Sequence, residues 1–171
     1  NQLNINKAGT TIVTASLVAD DNYIAATATM TLTVSKATPN LGSFGPFTAT
    51  YGDPDFEITT ENLGDNPNHT SKYVFSSLDT AIASISSTTV TINKAGVVTL
   101  TATLAEDDRY SAGVVTTTLT IEKATQEITV TGIPATQPLK DFTTIPVVAT
   151  ATSSDSVQLS VTGAATLSGT L

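Results

Sequence analysis

The chain of 171 residues has no cysteine and no tryptophan, one methionine and one histidine. Without cysteine it forms neither a disulfide nor a thiolate nucleophile or metal ligand. A catalytic constellation based on histidine has only His69 to draw on, with no orienting partner at a meaningful spacing, so no enzyme is expected. Aromatic residues are 5% of the chain, too few for the exposed ring platforms on which sugar-binding faces usually rely. Lys and Arg number 7 against 15 Asp and Glu, a formal net charge of −8 that repels a phosphate backbone and speaks against nucleic acid as a partner. No run of 18 or more apolar residues is present, so no segment is expected to insert directly in a membrane. Nor does a signal-peptide pattern follow Asn1. Lacking cysteine does not by itself set the compartment.

What is abundant is threonine, about one residue in five, while the usual helix formers are thin. An all-β fold follows. The segment Ile5 to Thr38 recurs without a gap from Ile92: Lys7, Gly9, Asp20, Asp21, Tyr23 and Lys36 return as Lys94, Gly96, Asp107, Asp108, Tyr110 and Lys123, each displaced by 87. A tandem period of that size means an array of small β modules. Cut at the linker-like Lys36-Ala37-Thr38-Pro39, the chain divides into a C-terminal portion of one module (1–35), a complete module (36–122) and an N-terminal portion of a further one (123–171).

Within the duplicated part, Val98, Leu100, Ala102 and Leu104 alternate with threonines, as do Leu119 and Ile121, and as do Val13, Ala15 and Leu17 in the first copy. Such alternation predicts antiparallel strands with one buried and one wet face. Asn93 to Gly96, like Asn6 to Gly9, reads as a tight turn between strands. Further strands are expected at Phe56–Thr59, Tyr73–Ser76, Ala81–Ile85, Val90–Ile92, Ile128–Val130, Ile145–Ala151 and Val157–Val161, and the long polar stretch 61–70 as a loop. About seven short strands parted by turn signals predict a β-sandwich for 36–122.

Several stretches carry a family resemblance: Tyr51-Gly-Asp-Pro-Asp-Phe56, Val74-Phe-Ser-Ser77 with Ala81-Ile-Ala-Ser-Ile85, Thr89-Val-Thr-Ile-Asn-Lys-Ala-Gly96, and Asp107-Asp-Arg-Tyr110 before the final strand. Together with Gly132-Ile-Pro-Ala135 and Pro138 to Phe142, which look like a sibling subtype, they resemble tandem bacterial immunoglobulin-like repeats of very large surface adhesins, especially those of gliding Bacteroidetes-type bacteria. The resemblance covers nearly the whole chain. It implies serial immunoglobulin-like sandwiches, an extracellular location on the bacterial surface and a structural role in cell adhesion or gliding motility, with adjacent repeats of the same polypeptide as the first partners. The alternatives are a module that grips an extracellular glycan or protein through the 61–70 loop, and an accessory domain of a secreted enzyme.

In such a sandwich the loop before the last strand shares a pole with loop 61–70 and with the linker from the preceding module. Asp107 and Asp108 are then expected near Glu61, Asp65, Asn66 and Asn68, an oxygen-rich set of the kind Ca²⁺ takes. Against this stands the simpler expectation that the aspartates cap a turn or pair with Lys36. No other cofactor is expected. His69 is expected to be a solvated loop residue, and Tyr110 and Tyr23 to be anchors packed at the sandwich end. Asp79-Thr80-Ala81 and Asp155-Ser156-Val157 resemble short O-glycan attachment sites, which makes Thr80 and Ser156 candidate acceptors, and Asn68-His69-Thr70 is a formal N-glycosylation sequon.

Overall fold

The computed structural model describes residues 2–59, 63–67, 69, 72–138, 144–153 and 155–168. Among them every regular element is a strand, and no helix is long and apolar enough to cross a membrane. The fold is all-β. By its own contacts the chain separates into two compact units, Asn1–Lys123 and Ala124–Leu171.

The first unit opens with a hairpin of β1 (Gly9–Leu17) and β2 (Ala26–Val34). Seven further strands follow: β3 (Phe47–Thr50), β4 (Phe56–Glu57), β5 (Tyr73–Ser77), β6 (Ala83–Ser86), β7 (Thr89–Ile92), β8 (Gly96–Leu104) and β9 (Gly113–Glu122). They make a four-stranded sheet in the order β3-β9-β8-β5 and a three-stranded sheet in the order β4-β7-β6. Both sheets feed one apolar core. Val98, Leu100, Ala102, Leu119 and Ile121 from β8 and β9 meet Phe75 of β5 and Ala83 and Val90 of the other sheet, with Phe44 and Ile58 closing the sides. The threonines between these positions keep to the outer face, as alternation requires. The arrangement is sandwich-like, with the expected seven strands.

The repeat in sequence is a repeat in structure. Gly9 pairs with Val34 and Leu17 with Ala26, and the residues 87 positions on, Gly96 with Ile121 and Leu104 with Gly113, pair identically. The surroundings differ. Leu104 is 2% exposed and its counterpart Leu17 is 69% exposed, because no second sheet covers β1–β2 among the described residues.

Three features depart from the sequence reading. First, β3 has no predicted strand behind it, yet Phe47-Thr48-Ala49-Thr50 pairs parallel to residues 119–122 at the end of β9. Second, Asn93–Gly96 is a turn between two strands as read, but those strands, β7 and β8, belong to different sheets, so the turn carries the chain across the core, with the Asn93 and Lys94 N–H groups both donating to the Ile82 carbonyl. Third, Val157–Val161 is not a strand. It pairs with no strand among the described residues, where the second unit's only ladder is that of 128–131 with 148–151.

The second unit holds β10 (Ile128–Thr131) and β11 (Val148–Ala151), which pair antiparallel. Thr129 faces Thr150 in that ladder, and the same pairing 87 positions earlier is the isolated bridge between Gly42 and Leu63. The period therefore persists in backbone pairing where the sequence has diverged. None of the unit's described residues is buried.

Candidate functional site

Three segments of the first unit converge at one pole of the two-sheet body: the linker from Lys36, the loop through residues 63–69, and the turn of residues 105–111 ahead of β9. The turn is built by its first aspartate. Asp107 Oδ1 accepts from the N–H groups of Arg109 and Tyr110, both at 2.8 Å, and the Asp107 N–H donates to the Tyr110 carbonyl at 3.1 Å. Asp20 makes the same three bonds with Asn22 and Tyr23 in the first copy. This is an Asx turn, which needs a short carboxylate or amide at that position and is local enough to form twice from the same residues.

The linker is not a free tether. The Ala37 N–H donates to the Arg109 carbonyl at 2.8 Å, and the Ser111 N–H donates to the Ala37 carbonyl at 2.9 Å, a parallel bridge centred on Tyr110. Ten residues lead from Ala37 to Phe47 but only nine from Tyr110 to Leu119, so the first segment gains one residue on its partner before β3 resumes the same parallel pairing. The intervening bulge drops Phe44 into the core. Lys36 Nζ lies 3.0 Å from Glu106 Oε2, which makes Glu106, and neither Asp107 nor Asp108, the linker lysine's partner. The Ala8 N–H, from the turn that opens β1, donates to the Asp108 carbonyl at 2.9 Å and fastens the preceding hairpin to the same turn.

Asn66 ties the long loop to the linker. Its Oδ1 accepts from the Asn40 N–H at 2.7 Å while its Nδ2 donates to the Asn40 carbonyl at 2.8 Å. One side-chain amide thus satisfies both backbone groups of a single residue, as a neighbouring strand would. Gly64 lies directly under this contact, and a Cβ there would sit 2.0 Å from the Asn40 carbonyl oxygen. Only glycine allows the two backbones so close. The Tyr73 hydroxyl points at the same carbonyls, of Asn40 and Leu41, each at 3.4 Å. Burial pushes the Tyr73 phenol above its ordinary pKa, with the Asn66 side-chain bond acting in the opposite direction.

His69 corrects the sequence reading. Its side chain is 3% exposed, with Nδ1 3.4 Å from Oδ2 of Asp107, itself 7% exposed, and its ring stacks on Tyr110 at 5.2 Å between centroids. A solvated loop residue it is not, because the loop folds back over the pole and brings it to partners 38 and 41 positions away. Tyr110 is anchored as expected, its hydroxyl donating to the Pro67 carbonyl at 3.2 Å. Tyr23 is not: it is 73% exposed, and among the described residues no loop like the one at 63–69 covers it.

The oxygen-rich set is therefore only partly assembled. Asp107 meets the loop through His69, while Asp65 and Asp108 are exposed and Asn66 is engaged with Asn40. Glu61, Asn68 and Thr70 lie outside the described residues. Among the described residues no group of three His, Asp or Glu side chains could hold a metal ion. Thr80 and Ser156 are both exposed, and Asp79 Oδ1 accepts from the Ala81 N–H at 2.9 Å in a turn that presents Thr80 to solvent. Beside the pole a cleft of about 650 Å³ is lined by Asp65, Asn66, His69, Lys72, Tyr73 and Ser87, together with apolar residues of the core edge. Comparison with protein-family models, with curated proteins and with solved structures gives no match to this chain.

Proposed function

We propose that the chain is a non-catalytic stalk or spacer segment of a repetitive bacterial cell-surface adhesin, exported to the cell exterior and serving adhesion or gliding. In this reading it is built of immunoglobulin-like modules in series: 1–35 is the closing portion of one, 36–122 a complete one, and 123–171 the opening portion of the next. Its first partners are the adjacent repeats.

The observation that supports this most is the stitched linker. A tether meant to let modules swing freely would leave its backbone to water, whereas here Ala37 is paired on both sides and the preceding hairpin is bonded to Asp108. The joint resists bending through backbone hydrogen bonds that any sequence with the same turn can make. The parallel pairing of β3 with β9 adds a second argument. In a parallel pair the entry of the first strand and the exit of the last lie at opposite ends, so tension applied through the chain shears all the bonds between them together. Electron micrographs of a polypeptide carrying many such repeats test the reading. A thin filament lengthening by roughly 30–35 Å per repeat, the span of a ten-residue strand, is expected; a compact globule contradicts it.

A second reading, a module that grips an extracellular glycan or protein, draws on the polar cleft beside the 63–69 loop. Saturable binding on a glycan array or in a pull-down, abolished by Lys72→Ala or Tyr73→Ala, would favour the grip over the spacer.

A further inference from the structure

We propose that the outer face of the β8–β9 ladder, repeated on the β1–β2 hairpin, is an ice-binding surface, a two-dimensional grid of threonine hydroxyls and methyls that adsorbs to crystalline water. Such adsorption would add a function to a stalk segment without depending on that role.

The grid is a product of register. On the outward side of β8 and β9, Val97 stands opposite Thr120, Thr99 opposite Thr118, Thr101 opposite Thr116 and Thr103 opposite Val114. Thr48 of β3 extends the first of these rows and Ser76 of β5 the third. Thr116 and Thr118 are exposed, and Thr99, Thr101 and Thr103 are half-buried. In the earlier copy Thr10 faces Thr33, Ile12 faces Thr31, Thr14 faces Thr29 and Ser16 faces Thr27. Where the two copies differ at these positions, they exchange only Thr, Ser, Val and Ile. No charged residue stands in either set of four rows, in a chain whose formal net charge is −8.

Strand propensity alone accounts for the abundance of threonine, but not for hydroxyls left open to a ligand. The other sheet supplies the contrast, since there the Thr89 hydroxyl donates to Glu57 and the Thr91 hydroxyl to Asp55. On the β8–β9 face, among the described residues, no side-chain hydrogen bond engages Thr99, Thr101, Thr103, Thr116, Thr118 or Thr120. Neighbouring strands repeat at about 4.7–4.9 Å, and outward residues along one strand at about 6.4–6.8 Å. That grid lies close to the spacing of oxygen atoms on the prism face of hexagonal ice. Each hydroxyl can take the place of a lattice water, and each methyl fixes the water held between neighbours. Adjacent strands are rotated by about 20–25°, so the match holds best over the β8–β9 pair and fades toward β3 and β5. Other occupants find little here: no aromatic ring stands in these rows to hold a crystalline polysaccharide or anchor a protein, and no cation to hold an anion.

The test is uptake of the full chain by slowly growing ice, beside a reference protein that does not bind ice, with the shape of single crystals held just below melting as a second readout. The unaltered chain is expected to be captured and to facet the crystals, while the reference stays in the liquid. Thr118→Lys and Thr31→Lys each break one grid with a long charged side chain. Either alone should lower capture and the two together should abolish it, whereas Ser86→Lys, in β6 of the other sheet, should leave it unchanged. Should the lysines unfold the ladders, Thr118→Val/Thr31→Val removes the two hydroxyls with a good strand former and should still lower capture. Exclusion of the unaltered chain from ice overturns the proposal, as does capture that survives the double lysine substitution or is lost equally in Ser86→Lys. Adsorption to microcrystalline cellulose or chitin with none to ice would also overturn it, assigning the face to a crystalline glycan. None of these outcomes affects the stalk reading, which the filament measurement tests separately.

Discussion

Single residues decide how firmly the linker is held. Asn66→Ala removes both bonds to Asn40 and is expected to cost about 1–2 kcal/mol, from two partly exposed hydrogen bonds. Faster amide exchange at Asn40, with the core amides of β8 unchanged, would mark the loss as local. Tyr73 supplies a pH signature. Its phenol pKa is raised by burial, so the stability it contributes is complete below the unfolded tyrosine value, near 10, and is lost as pH rises through the higher folded value. In an absorbance titration of the four tyrosines the last to ionise should vanish in Tyr73→Phe; an unchanged titration would refute the assignment. Ser87 is the one described non-glycine residue with positive φ, at 58°, in the two-residue turn joining Ser86 to Thr89. A left-handed serine is strained where glycine is not, so Ser87→Gly should raise stability by roughly 0.5–1 kcal/mol in denaturant melts.

At the scale of elements, the duplicated hairpin offers a comparison at constant chemistry. Leu104 and Leu17 occupy the same position of the same hairpin, one buried in the shared core and one open to solvent. Leu104→Ala should cost about 2–5 kcal/mol, and Leu17→Ala less than about 0.5 kcal/mol. Similar costs at the two sites would mean that the hairpin is covered after all. The same pair explains which parts of the fold the sequence made legible. Strands β8 and β9 were readable because their alternation of apolar residues and threonine is long and occurs twice. Strand β3 was not, since four residues beginning after Pro46 make a weak pattern, and only the distant end of β9 turns them into a strand. Val157–Val161 has the better alternation and no ladder, because a strand needs a neighbour as well as a pattern. At the pole, the Asx turn of Asp107 was local and could be anticipated. The burial of His69 and the Asn66–Asn40 clamp depend on contacts 26 to 38 residues apart that no short motif announces. The Asp107 carboxylate is engaged by its own turn and by His69, so we expect the melting temperature of the chain to be the same in chelator and in excess Ca²⁺. A rise with Ca²⁺, reversed by chelator, would restore the cation site.

For the molecule as a whole, the two-sheet body is the part able to carry load. Its entry and exit strands are parallel neighbours, its core draws on both sheets, and its linker is paired before the body begins. The β1–β2 hairpin and the 124–171 unit have no buried residues among those described and should yield at low force. Pulling a single chain by its two ends tests this most directly. The account predicts one dominant rupture releasing about 260 Å of contour length, the extended length of residues 37–122 less the span of the folded body, at 3.3–3.6 Å per residue. Smooth extension without a rupture, or a single release matching all 171 residues, would contradict it.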